Sequence, residues 1–289
     1  MIYLITGATG NVGSLVVERL IARGDRPRVF ARDPEKTRAR YGDQVDVFVG
    51  DLADAATLKP ALTEADAFML VNSGSELAAR DEAAAQVAIA AGVKHLVKLS
   101  SYDAREQNIG TGVWHAQGES AIRDAGIPFT FVQPSGFMSN ALFWARSIEA
   151  EGVVRTCTAD GKIPFIHSQD IADVTTAALT SGAYDGKLLP ITGPEALSYA
   201  EMTAKIGAVI GKPVRYQAIS DDDERRRMVE RGEAAEIVAA HLSIYRAIRE
   251  GRLATVTDTV ERVLDRKPIT FDQWVLENAT AFGNSSPGM

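Results

Sequence analysis

Through the first half of the chain, short apolar runs alternate with segments of helical spacing. Residues 2–6 form an apolar run without polar alternation, which suits a strand covered on both faces. Residues 12–23 then carry Val12, Leu15, Val16, Leu20 and Ile21 at helical spacing, with Gly24 at the position of a C-cap. The alternation continues. Strands are predicted over 28–31, 46–49, 67–71, 95–99 and 129–132, and helices over 34–41, 55–62, 76–91 and 117–125. Strands alternating with helices imply right-handed crossovers and a parallel sheet with helices on both faces.

The second half is less regular. A helix is predicted over 171–181 and a strand over 187–192. Residues 198–210 read as an amphipathic helix opened by Ser198, with Glu201 three residues later in capping-box spacing. Residues 221–252 read as one highly charged helical segment, its acidic start complementing the helix dipole. A last helix, 270–282, precedes a polar tail at 283–289 that is expected to fray. The expected fold class is α/β: a Rossmann-type doubly wound parallel sheet with a smaller, mainly helical substrate lobe. Residues 1–136 and 166–193 are assigned to the dinucleotide-binding domain, and 137–165 with 194–289 to the substrate-binding lobe.

Composition narrows the function classes. A chain of 289 residues with 46% hydrophobic and 24% charged residues has material for a buried core, which argues against disorder. Acidic residues outnumber basic ones 38 to 31, a poor match to a nucleic-acid partner, whose phosphates call for surplus Lys and Arg. The single cysteine, Cys157, excludes an internal disulfide and gives no Cys/His metal spacing, so a cytoplasmic location and no metal site are expected. The opening MIYLITGATG carries no basic leader and breaks at Gly7, and no apolar stretch reaches the length of a membrane span. Neither a signal peptide nor a membrane partner is expected. Oligomeric state is left open, a homodimer included.

The most specific chemical motif is Gly7-Ala8-Thr9-Gly10-Asn11-Val12-Gly13, because it leaves a buried strand and opens a helix. Glycines there let the backbone turn sharply and approach a pyrophosphate, and the helix N-terminus offers unpaired N–H groups and a positive dipole end. At the end of the second strand, an NAD site would place an acid against the ribose 2′-hydroxyl. Here the chain reads Phe30-Ala31-Arg32, with Lys36 and Arg38 following. A guanidinium at that point suits a 2′-phosphate, so NADPH is the expected cofactor, with NADH left as the alternative because Asp33 comes next.

These residues resemble the NmrA-like branch of the atypical short-chain dehydrogenase/reductases. The resemblance runs through Thr6 to Gly13, Ala31-Arg32-Asp33-Pro34, Gly50-Asp51-Leu52 and Lys98-Leu99-Ser100-Ser101. It continues through residues 126–130 (GIPFT), Pro134, 136–140 (GFMSN), 170–174 (DIADV), 191–195 (ITGPE) and 269–272 (ITFD). By resemblance, Gly7, Thr9, Gly10, Asn11 and Val12 hold the pyrophosphate and Arg32 the 2′-phosphate. Asp51 and Leu52 flank the adenine, Asn72 and Ser73 lie along the cofactor, and Phe137 and Met138 approach the nicotinamide. Asp170 is expected to be a structural helix cap.

Ordinary short-chain reductases use a Tyr-x-x-x-Lys pair to protonate the alkoxide formed by hydride delivery, and none of the seven tyrosines here has Lys four residues on. The helix where that pair belongs instead carries His115 and Glu119, one turn apart. An alkoxide is a strong base that requires a donor in the transition state. A reduced quinone is a phenolate, whose conjugate acid has a tyrosine-like pKa of about 10. A site without Tyr/Lys is therefore better matched to quinones or polycyclic aromatic carbonyl compounds, and the family includes NAD(P)H quinone reductases. Three donors are singled out: His115, with Glu119 expected to favour its imidazolium, and Ser100 and Tyr102 after the fifth strand. Trp114, Phe137, Met138, Phe143 and Trp144, with Met228 and Tyr245 as further candidates, suggest apolar cover for a small aromatic substrate. The leading expectation is an NAD(P)H-dependent oxidoreductase, with reduction or oxygenation of aromatic polyketides as a narrower form. The alternative from another class is a non-catalytic dinucleotide sensor of NmrA type.

Overall fold

A computed structural model describes residues 1–106 and 108–283, so most of the predicted polar tail lies outside the described residues. In chain order the first elements are β1 (Tyr3–Thr6), α1 (Gly13–Ala22), β2 (Arg28–Ala31), α2 (Pro34–Tyr41), β3 (Asp46–Val49) and α3 (Lys59–Leu62). Then come β4 (Ala67–Val71), α4 (Leu77–Ala90), β5 (His95–Leu99), α5 (Gly110–Ala125) and β6 (Phe129–Pro134). Next are α6 (Ala145–Glu151), β7 (Val153–Thr156), β8 (Lys162–Ile163), α7 (Ser168–Thr180), β9 (Lys187–Ile191), β10 (Leu197–Ser198) and α8 (Tyr199–Ile210). The last are β11 (Arg215–Ala218), α9 (Asp221–Glu230), α10 (Ala235–Arg249), α11 (Thr259–Leu264) and α12 (Phe271–Glu277).

The chain divides into two compact units. The first comprises Met1–Pro134, Ser168–Ile191 and Arg262–Asp265. It holds one seven-stranded sheet of order β3-β2-β1-β4-β5-β6-β9, parallel throughout. This is a Rossmann-like α/β fold. Apolar residues on both faces of the strands explain why so few polar positions interrupt them. Leu4, Phe68, Leu70, Leu96 and Phe131 are fully buried, against Ala84, Ala85 and Ala88 of α4 and Ile122 of α5. Each large side chain so buried contributes roughly 1.5–3 kcal/mol, and the alanines let α4 approach the sheet closely. The strand order reverses between β1 and β4, the place in an open α/β sheet where ligands bind beyond the carboxyl ends of the strands. Pro190 lies in edge strand β9, where a missing N–H does least harm.

The second unit comprises Ser135–His167, Thr192–Glu261 and Arg266–Met289. It contains two small sheets, β7 parallel to β11 and β8 antiparallel to β10, together with the later helices. The capping box forms as the spacing predicts. The Ser198 hydroxyl accepts from the Glu201 N–H at 3.2 Å, and the Glu201 carboxylate accepts from the Ser198 N–H at 2.7 Å.

Four predicted helices differ from the structure, the first being 55–62, which divides into a 3-10 turn at Ala55–Leu58 and the short α3. The segment 221–252 breaks into α9 and α10 at Gly232, which takes a φ of +80° that ends the first helix. Residues 270–282 divide into α12 and a 3-10 turn at Ala279–Phe282. Helix α5 begins at Gly110, well before 117, because two glycines in its first turn mask the helical pattern. Gly112 is required there by packing: a Cβ would lie 2.3 Å from the Asp103 carbonyl oxygen.

Candidate active site

Strand β1 leads into the glycine turn. Gly7 takes a φ of +64°, and the Gly10 N–H donates back to the Gly7 carbonyl at 2.9 Å. A Cβ on Gly13 would lie 2.3 Å from that same carbonyl oxygen, so the turn and the start of α1 can approach only with glycine at 13. The turn is anchored from below. The Tyr41 hydroxyl donates to the Ala8 carbonyl at 2.5 Å, and burial pushes the phenol up to about 12. The Thr6 hydroxyl donates to the Met69 carbonyl at 3.0 Å and accepts from the Val71 N–H at 2.7 Å, joining β1 to β4. Gly7, Gly10 and Asn11 are exposed, Thr9 is half-buried and Val12 is buried. No side chain caps α1 at Val12. The Ser14 N–H donates to the Gly10 carbonyl at 3.2 Å, and the positive dipole end of α1 faces the glycine turn, which fits the pyrophosphate of a dinucleotide.

At the end of β2, the Arg32 side chain is 83% exposed, with its guanidinium 4.0 Å from the Asp51 carboxylate. Asp33 is committed elsewhere: its carboxylate caps α2 by accepting from the Lys36 N–H at 3.0 Å. The cation is thus presented at the strand end beside an exposed Asp33, one of whose carboxylate oxygens is bonded to the start of α2. Asp51 accepts from the Ala53 N–H at 3.0 Å, and half-buried Leu52 packs against the core beside it.

The ends of β4 and β5 carry two buried polar networks. In the first, the Asn72 amide donates to the Leu77 carbonyl at 3.3 Å and to the Asp81 carboxylate at 3.2 Å, and accepts from the Ser73 N–H at 2.9 Å. The Asn72 amide is thus committed inside the protein, while Ser73 is exposed. Asp81 is ion-paired with Lys98 of β5, and both side chains are fully buried. In the second network, the Ser100 hydroxyl donates to the Glu119 carboxylate at 2.5 Å, and the Gln133 amide donates to the same oxygen at 2.8 Å.

This geometry corrects one expectation. His115 and Glu119 lie one turn apart on α5, yet Glu119 turns to Ser100 and Gln133 and does not pair with the imidazole. His115 Nδ1 is buried without a hydrogen-bond partner. Burial and, after it, the Lys98 charge push His115 down to about 3, so it is neutral and does not supply an imidazolium. Tyr102 lies in a 3-10 turn after β5, half-buried, with the Arg105 guanidinium 5.4 Å from its ring centroid.

In the second unit, Phe137 forms a bridge to Ile166, and the Met138 N–H donates to the Ile166 carbonyl at 2.9 Å. Met138 is buried and Phe137 half-buried. Trp144 packs on Tyr199 at 5.1 Å between centroids, and Phe165 and Tyr245 meet Tyr199 edge-on at 6.0 and 6.4 Å. Phe143 stands outside this group, 86% exposed, and Trp114 belongs to the first unit. Met228 is core, packed with Cys157, Val238, Leu242 and Tyr245. Asp170 is fully buried in the first turn of α7.

Comparison with known proteins places this geometry. Residues 2–275 match the model of the NmrA-like family. The chain belongs to that family. A relative from Streptomyces griseus, a (4-alkanoyl-5-oxo-2,5-dihydrofuran-3-yl)methyl phosphate reductase, is 38% identical, with 96% of this chain and 98% of the relative covered. The NAD(P)H azoreductase of Xenophilus azovorans is 34% identical, covering 97% of this chain and 99% of its own. Among solved structures, the NADPH-dependent quinone oxidoreductase of Escherichia coli complexed with NADPH superposes with a TM-score of 0.87 at 25% identity, covering 96% of this chain and 99% of that one.

Several residues that shape this NmrA-like site escaped the sequence reading: Tyr41 under the glycine turn, Asp81 and Lys98 behind Asn72, and Gln133 beside Glu119. Only Lys98 left a signal, a cation within the otherwise apolar strand 95–99. Among the described residues, no helix is long and apolar enough to cross a membrane.

Proposed function

We propose that this protein is an NADPH-dependent reductase of quinones and related polycyclic aromatic carbonyl compounds. The observation that carries the reading is the cofactor side of the site: an uncapped α1 behind a glycine turn, with Arg32 presented and Asp33 capping α2. Two relatives, 38% and 34% identical, are named as reductases, which supports an NAD(P)H-dependent oxidoreductase over a non-catalytic sensor. In this reading Gly7, Thr9, Gly10, Asn11 and Val12 cradle the pyrophosphate, Arg32 binds the 2′-phosphate, and Asp51 and Leu52 border the adenine. Asn72 and Ser73 shape the cofactor wall, and Phe137 and Met138 serve the nicotinamide end. When bound, the reduced nicotinamide supplies hydride.

The proton inventory favours acceptors whose reduced form is a weak base. His115 is neutral, and the Ser100 proton is directed into Glu119. Of the three candidates, Tyr102 is the phenol, and its hydroxyl is the remaining donor. Tyr102→Phe is expected to lower kcat at least about tenfold, with a smaller change in the Kd for NADPH. A narrower form of the reading is a tailoring reductase of aromatic polyketides; the relative acting on an alkanoyl dihydrofuranone supports a conjugated carbonyl acceptor.

The test is loss of NADPH absorbance with purified protein and a panel of mono- to polycyclic quinones. Turnover that drops sharply with NADH supports the reading. Tight NADPH binding without turnover on any acceptor would transfer the weight to the sensor.

A further inference from the structure

The Lys98–Asp81 ion pair is buried completely, 0% exposed on both sides. Removing two charges from water is costly, and an apolar pair of similar volume often serves stability equally well or better. Stability therefore does not account for the pair, and its contacts suggest what does. Asp81 uses one oxygen for Lys98 and the other for the Asn72 amide nitrogen at 3.2 Å. The Asn72 oxygen accepts from the Ser73 N–H at 2.9 Å. A continuous polar chain thus runs from mid-β5 through α4 into the turn that follows β4.

A carboxylate accepts at both oxygens and donates at neither. Facing one, the two-sided amide of Asn72 has a single orientation: nitrogen toward α4, oxygen toward the Ser73 N–H. The Leu77 carbonyl, 3.3 Å from the amide nitrogen, favours the same orientation, and a neutral side chain at 81 would leave the nitrogen without its charged, stronger acceptor. Helix α5 leaves a slot for the carboxylate, because a Cβ on Gly118 would lie 2.4 Å from the Asp81 oxygen. The residue preceding the network, Val71, backs directly onto Gly7, where a Cβ would lie 3.0 Å from its side chain. The turn after β4 and the glycine turn therefore form adjoining walls at the strand-order reversal.

We propose that Asp81 and Lys98 are positioning residues for the dinucleotide site: the buried pair fixes the orientation of Asn72 and, through it, the Asn72–Ser73 backbone that borders the glycine turn. This rests on the reading of this region as a dinucleotide site.

The experiment measures the Kd for NADPH and the Tm of the full chain in four variants: Asp81→Asn/Lys98→Met, Asn72→Ala, the triple combination, and Gly118→Ala. The charge-free double variant is expected to raise Kd about tenfold. Asn72→Ala should raise it by a similar factor, and the triple variant should be no worse than Asn72→Ala, because all act through one amide. Factors that multiply in the triple variant, or a double variant within twofold of wild type, overturn the assignment. Gly118→Ala keeps every charge and favours the helix, yet its methyl displaces the Asp81 carboxylate. It should raise Kd severalfold, measured well below a Tm that falls because the methyl would also lie 2.7 Å from Leu77 Cδ2, and wild-type affinity in that variant overturns the assignment even where the double variant fails to fold. A wild-type protein that binds neither NADPH nor NADH removes the dinucleotide reading and this assignment together. Wild-type binding with unaffected variants removes the assignment alone.

Discussion

At Arg32, exposure and chemistry point the same way. Among the described residues the guanidinium approaches Asp51 at 4.0 Å, while the adjacent Asp33 caps α2 through one carboxylate oxygen. Arg32→Glu is expected to lose about tenfold or more of the preference for NADPH over NADH, since one charge-assisted bond to phosphate is worth about 1.5–3 kcal/mol. The ratio of kcat/KM with the two cofactors measures it. His115 makes a different prediction. Burial and the Lys98 charge depress it from 6.5 to about 3, so between those values the unfolded chain binds a proton that the folded chain does not. Its contribution therefore penalises the folded state increasingly as pH falls below 6.5. In His115→Phe, the gap between urea midpoints at about pH 7.5 and about pH 5 should be narrower than in wild type. An unchanged gap would mean that the histidine is protonated in place.

At the scale of elements, the first β–turn–α unit couples local backbone geometry to ligand binding. Gly7 supplies a left-handed conformation, and Gly13 supplies a close approach that a single methyl would block at 2.3 Å. Gly13→Ala is expected to cost about 1–3 kcal/mol through overpacking and to weaken NADPH binding as the turn shifts. Denaturant unfolding and a binding titration measure the two effects separately. Helix α5 shows the converse. Its glycines at 112 and 118 weaken helix propensity but admit the Asp103 backbone and the Asp81 carboxylate, so packing prevails over propensity.

At the scale of the whole molecule, the glycine turn, Arg32 and both buried polar networks all fall within the first unit. Ligand binding should therefore stabilise that unit by mass action. NADPH at about 100 times its Kd is expected to add about 2.7 kcal/mol and to raise Tm by several degrees in a calorimetric scan. NADH at the same concentration should raise it less, because it lacks the phosphate that Arg32 is placed to bind.

The amino-acid sequence by itself determined the α/β class, all seven strands of the sheet to within two residues, the glycine turn and the cation after β2. These features follow from local pattern: apolar runs, glycine spacing and the identity of the residue at a strand end. The capping box at Ser198 and Glu201 was legible for the same reason, since both partners lie within one turn. Only the tertiary structure decided which partner each buried polar group takes. His115 and Glu119 share a helix face, yet Glu119 turns to Ser100 of the β5 edge and Gln133 of β6. Asp81 and Lys98, seventeen residues apart, meet only because α4 packs over β5. Hydrogen bonds and charges in the interior are satisfied by whatever lies within about 3 Å, and that distance is fixed by packing between elements rather than by spacing along the chain.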